Sequence, residues 1–141
     1  MKSVHEIMEQ AVKNGACSKS KGVSDWKTIA WLFFTPQGLE FCEGNNFPSL
    51  HDFQEMDECL TDFGIMVDKG EIVRSNDVNI ALIGNTFGKL TFDDNTKVHK
   101  VVLMHGAKAF IVARNYAVIR LINIGNCEVK INKDKSSVIL K

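Results

Sequence analysis

Apolar positions follow two different periods along this chain, and the change falls near residue 64. Before it they recur every three to four residues, as on one face of a helix. After it they alternate with polar residues, as on a strand with one buried face. In the first part, Val4, Ile7, Met8 and Val12 share a helical stripe. Ser3 and Glu6 have the S-x-x-E spacing of a capping box at its start, and Gly15 is the expected end. A second helix is expected from Ser24 as N-cap, with Asp25 near the positive helix end. Trp26, Ile29, Ala30 and Phe33 line one side, while Trp31, Leu32 and Phe34 add apolar surface elsewhere. Both tryptophans are therefore expected at the centre of the helical core. Thr35-Pro36 opens a third helix, since proline at the first helical position gives up no hydrogen bond. Leu39, Phe41 and Cys42 turn inward there, and a fourth helix follows from Pro48 or Ser49. Its stripe is Leu50, Phe53, Met56 and Leu60, closed by Gly64. About four short helices thus occupy residues 3–63.

Beyond residue 64, "IMVDKGEIV" reads as a hairpin about Asp68-Lys69-Gly70. Apolar pairs then recur at Ile80/Leu82, Leu90/Phe92, Val101/Leu103, Ala109/Ile111, Ile119/Leu121, Val129/Ile131 and Val138/Leu140. Between them lie Gly84-Asn85, Asp94-Asn95, His105-Gly106, Arg114-Asn115, Gly125-Asn126 and Lys133-Asp134. Asn and Gly adopt positive φ most easily, so these are corners. Alternate pairs form two columns: positions 80, 101, 119 and 138, and positions 90, 109 and 129. A coil of about twenty residues with two faces stacks both columns.

The expected fold is therefore α+β, a helical cap over residues 1–64 followed by a short β-solenoid over 65–141, packed as one unit. An antiparallel β-sandwich or barrel is the alternative, pairing each strand with its sequence neighbour. Small Ala109 and Ala117 at inward positions suit the narrow interior of a solenoid. The helices are expected to cover its first coil. The last coil, ending in "SSVILK", is expected to meet a second copy through Val138 and Leu140, giving a homodimer.

Charge adds one feature. The formal net charge is zero, yet residues 1–70 hold 6 Lys and no Arg against 11 acids, while residues 71–141 hold 8 Lys and 3 Arg against 6 acids. One half is thus acidic and the other basic. Lys97, His99, Lys100, Lys108, Arg114, Arg120 and Lys130 are the candidate binding residues. If several share a sheet face, they form a shallow cationic surface for a polyanion; dispersed, they are solvated strand faces.

Little else points to chemistry. The four cysteines (Cys17, Cys42, Cys59, Cys127) lie far apart, with no metal-site spacing, and read as reduced thiols of a cytoplasmic protein. His51 and Asp52 are adjacent on a helix and so do not face each other. "IGNTFG" lacks the Lys-Ser/Thr of a phosphate loop, and "DDNT" lacks a calcium loop's ligand pattern. The longest apolar run, Ile29 to Phe34, has six residues, against the roughly 20 of a membrane helix. The N-terminus has no apolar region of a signal peptide. No cofactor, metal or membrane partner is expected, and no catalytic residue is assigned.

The strings "DWKTIAWLFFTPQGLEFCEGNNFPSL" and "MHGAKAFIVARNYAVIRLINIGNCEVKINKD" resemble a group of uncharacterised small proteins of bacteria and their mobile elements. The resemblance implies a bacterial or phage origin and carries no activity. The repeat also resembles short-repeat β-solenoids, whose corners use Asn and Gly. The reading reached is a non-enzymatic binding or assembly module presenting rigid sheet faces to a protein partner. A polyanion or nucleic-acid binder using the basic half is the alternative.

Overall fold

A computed structural model of the protein describes residues 3–13 and 25–141. The expected helix end at Gly15, the Ser24 cap and Cys17 lie outside the described residues. The chain divides into two compact units, residues 1–63 and 64–141.

The first unit is helical. α1 (Val4–Lys13) starts where the Glu6 amide donates to Ser3 Oγ at 3.1 Å and Ser3 Oγ donates to Glu6 Oε1 at 3.1 Å. This satisfies one free amide of the first turn. α2 (Trp26–Phe34) is capped by Asp25, whose carboxylate accepts from the Thr28 amide at 2.7 Å. Thr35 ends α2 and caps α3 (Pro36–Asn45), accepting from the Gly38 amide at 3.0 Å. Asn46, at φ 49°, closes α3 in the left-handed conformation. α4 (Leu50–Leu60) begins with a reciprocal pair in which the Ser49 amide donates to Asp52 and the Asp52 amide donates to Ser49 Oγ. A 3-10 turn (Thr61–Phe63) follows.

Edge-to-face aromatic contacts form the centre of this unit. Phe33 packs on Phe34 and Phe53 at centroid distances of 5.1 and 6.0 Å, beside buried Leu39, Cys42, Met56 and Leu60. The tryptophans are not at that centre. Trp31 is 67% exposed, because the inner face of α2 is set by Ala30, Phe33 and Phe34. Phe41 is only half-buried, edge-on to Phe47.

The second unit is a β-solenoid of about four coils. Strands β1 (Ile65–Val67), β3 (Asn79–Ile83), β5 (Val98–Met104), β7 (Val118–Asn123) and β9 (Val138–Leu140) form one parallel sheet in that order. Strands β2 (Gly70–Ser75), β4 (Thr86–Phe92), β6 (Lys108–Ala113) and β8 (Glu128–Lys133) form the other. The expected Asp68-Lys69-Gly70 hairpin is instead a corner: β1 and β2 lie in different sheets, each paired in parallel with the strand one coil on. Asp68 and Gly70 both have positive φ there, which turns the chain without pairing its two arms.

The interior is one apolar column between the sheets, from Met66 and Ile80 through Leu90, Val101 and Ile111 to Ile119, Leu121 and Cys127. Ala109 and Ala117 are buried within it. Polar side chains fasten corner to corner across coils. Buried Thr86 accepts from the Lys69 amide at 3.0 Å and donates to the Ile83 carbonyl at 3.0 Å. Asn76 Oδ1 accepts from the amides of Asp93 and Asp94 in the next coil. Asn115 donates to the Asp93 carbonyl, and the Asn115 amide donates to Asp134. Corner backbone that forms no ladder is thereby paired.

The register departs from equal columns. Ile65 pairs with Ala81, sixteen residues on, and Ile80 with Val101, twenty-one on. Val101 then pairs with Leu121 and Ile119 with Ile139, each twenty on. Val101 and Ile119 are therefore not rung partners; Ile119 lies between His99 and Ile139. On β9 this shifts the inward residue by one. Ile139 packs against the core, whereas Val138 and Leu140 point outward, 45% and 48% exposed.

Candidate functional site

A parallel two-sheet coil turns each rung of outward side chains into a straight row, one residue per coil at about 4.8 Å spacing. On the outward face of the β2-β4-β6-β8 sheet, the register produces three rows. Glu71, Phe87, Lys108 and Glu128 form the first; Val73, Lys89, Phe110 and Lys130 the second; Ser75, Thr91, Val112 and Asn132 the third. Two phenylalanines thus sit among three lysines on a flat support. An open groove of about 620 Å³ runs over this face, lined chiefly by Phe87, Lys89, Lys108, Phe110, Glu128 and Lys130.

The lysines differ in their surroundings. Lys89 Nζ lies 2.7 Å from Glu71 Oε1, and Lys108 Nζ lies 3.6 Å from Glu128 Oε2. Both pairs cross between coils on exposed surface, where such pairs contribute about 0–1 kcal/mol and exchange partners readily. Lys130 is exposed and has no ion pair with any described residue. It follows Phe110 in the same row, as Lys89 precedes it.

The other candidates lie elsewhere. Lys100 and Arg120 are rung neighbours on the outward side of the other sheet. Burial, and then the Arg120 charge, lower the Lys100 ammonium below its usual range. Arg114 occupies the corner after β6, donating to the carbonyls of Ala113 and Asn132 and to Asn132 Oδ1; it holds coils together. Lys97 is exposed in the corner before β5. The seven residues are therefore not one cationic surface, and only Lys108 and Lys130 share a face with the groove.

His99 is a correction of a different kind. It is fully buried, its ring tilted against Phe92 at a centroid distance of 4.8 Å, with Nδ1 2.9 Å from the Asp77 carbonyl and Nε2 2.9 Å from the Asp94 carbonyl. It fastens two corners and is inaccessible to a ligand. Charge alone passes over Phe87 and Phe110, and it does not set Lys89 apart from the other basic residues. Their signal was parity: in "TFGKLTF" and "KAFIVA" they alternate with Gly88, Leu90, Ala109 and Ile111, all buried.

Cys42 and Cys127 are free thiols, and burial pushes the Cys42 thiol up to about 12, away from thiolate reactivity. His51 pairs with Glu55, while Asp52 caps its own helix. Among the described residues no group of three His, Cys, Asp or Glu is placed to hold a metal ion. Among them also, no helix is long and apolar enough to cross a membrane. No protein-family model, curated protein or solved structure matches the chain, so the chemistry of its surface is the guide to its function.

Proposed function

We propose that the protein is a non-enzymatic binding module that docks a protein partner on the outward face of the β2-β4-β6-β8 sheet. The observation that carries this reading is the row Lys89, Phe110, Lys130, with Phe87 and Lys108 beside it. Aromatic side chains bury much area at little conformational cost, which is why they anchor interfaces. The coil backbone holds them in place before a partner arrives, so little ordering is lost on binding.

A polyanion is the weaker reading. Two of the three lysines on this face already have glutamates on adjoining coils, leaving three Lys against two Glu across the twelve outward positions. Phosphate binding draws on unneutralised charge and weakens steeply with salt. A homodimer through the last coil is a further part of the proposal, supported by exposed Val138 and Leu140. Light scattering at micromolar concentration tests it; a lone monomer removes it.

The docking face is tested by affinity capture from cells of the natural source, comparing the tagged wild type with Phe110→Glu and, as a control, Lys97→Glu. A partner retained by wild type and Lys97→Glu but lost from a folded Phe110→Glu supports the face. A partner retained equally by all three contradicts it.

A further inference from the structure

The second row carries a spacing that selects the shape of what docks there; this rests on the docking reading above. Lys89, Phe110 and Lys130 stand on three successive coils, so the two lysine positions are about 9.6 Å apart with the ring midway. On an extended peptide, side chains of one face recur every ~6.8 Å, which matches neither one coil nor two. On an α-helix, positions i and i+7 lie about 10.5 Å apart on one face, with i+3 and i+4 between them. An acid at i and at i+7 meets the two lysines while apolar residues at i+3 and i+4 cover the phenylalanine. We infer that the occupant of this face is an amphipathic helix of a protein partner, laid along the solenoid axis, with an acid-apolar-acid stripe.

Charge complementarity sets the ends of that contact unequally. Lys89 must leave Glu71 to take a new partner, whereas Lys130 has no described counter-charge to leave. Lys130 and Phe110 are thus the stronger contacts, and Lys89 the weaker. Glu71 and Glu128, in the first row, repel an anionic chain that spreads across the sheet. A narrow acidic stripe along the second row runs beside them; a broad polyanion overlies them.

The test uses the full chain and a labelled alanine-based helical peptide with Glu at i and i+7 and Leu at i+3 and i+4. Its partners in the assay are the same peptide with Lys at i and i+7, and a single-stranded oligothymidine. Fluorescence anisotropy at low salt is expected to show binding of the Glu peptide alone. Lys130→Glu and Phe110→Ala are expected to weaken it about tenfold or more, and Lys89→Glu less, with the far-ultraviolet circular dichroism of each variant unchanged. Equal binding of the Lys peptide, binding of neither peptide, or preference for the oligonucleotide overturns the inference. If capture depends on Phe110 while the Glu peptide fails to bind, the docking face stands and the helical occupant falls. If capture ignores Phe110→Glu, both fall.

Discussion

His99 lies opposite Ile119 in the parallel register of β5 and β7, a titratable side chain on a rung of the apolar interior. Each ring nitrogen meets a backbone carbonyl of a different corner, Asp77 on one coil and Asp94 on the next. A carbonyl only accepts and a neutral imidazole carries one N–H, so the ring is a strut between coils that donates to one of the two carbonyls at a time.

Replacing His99 with Leu keeps the volume and removes the strut. The carbonyl that accepted the ring N–H then depends on water that must reach a buried position, at a cost of about 1–3 kcal/mol. Urea unfolding is expected to show a lower midpoint with an unchanged slope. An unaltered midpoint would mean that the corner does not depend on this contact.

Gly88 is a second tight point. It occupies the inward rung with Ala109 and Val129, and a Cβ there would lie 2.6 Å from Leu82 Cδ1. Gly88→Val therefore overpacks the interior and is expected to cost about 1–3 kcal/mol in urea unfolding. Gly88→Val combined with Leu82→Ala is expected to recover part of that loss, because the closest clash is with Leu82, Leu90 Cδ2 lying farther off at 3.3 Å.

Stability should also depend on acid in a defined direction. Hydrogen bonds, first from Ser136 and also from Asn115 and Ser137, hold the Asp134 carboxyl far below the usual carboxylate range. A carboxyl lowered in the folded state stabilises it above the ordinary carboxylate pKa, and that contribution is lost as pH falls through the lowered value. Hydrogen bonds from Thr96 lower Asp94 in the same direction. Between about pH 7 and pH 5 the Asp134 contribution is fully present and the midpoint of urea unfolding is expected not to change with pH on its account, with a fall setting in below about pH 4. Asp134→Asn should make that acid fall shallower; an equally steep fall in the variant would remove Asp134 from the account.

Much of this architecture was legible, and for a physical reason. Corners at Gly84-Asn85, His105-Gly106 and Gly125-Asn126 announce themselves because each contains a residue at positive φ that other side chains rarely adopt. The alternating pairs between them located the strands. What alternation leaves open is the length of each coil. The corner between β2 and β3 has three residues, Asn76 to Val78, while that between β4 and β5 has five, Asp93 to Lys97. Equal columns therefore slipped by one or two residues, misplacing Val138, Ile139 and Leu140 and hiding that His99 belongs to the interior. The candidate surface was half legible: Lys108 and Lys130 were found by charge. Their neighbours Phe87, Lys89 and Phe110 needed the register, since residues about twenty apart touch only once the coils are stacked.

That stacking underlies the rows, the groove and the helix that fits them, and one nuclear Overhauser experiment addresses it. With the backbone assigned, Phe110 should show contacts to Lys89 and to Lys130, its neighbours on the coils before and after. Contacts from Phe110 to residues of β7 in an antiparallel ladder, with none to Lys89 or Lys130, would contradict the stacked coils and dissolve the binding face with them.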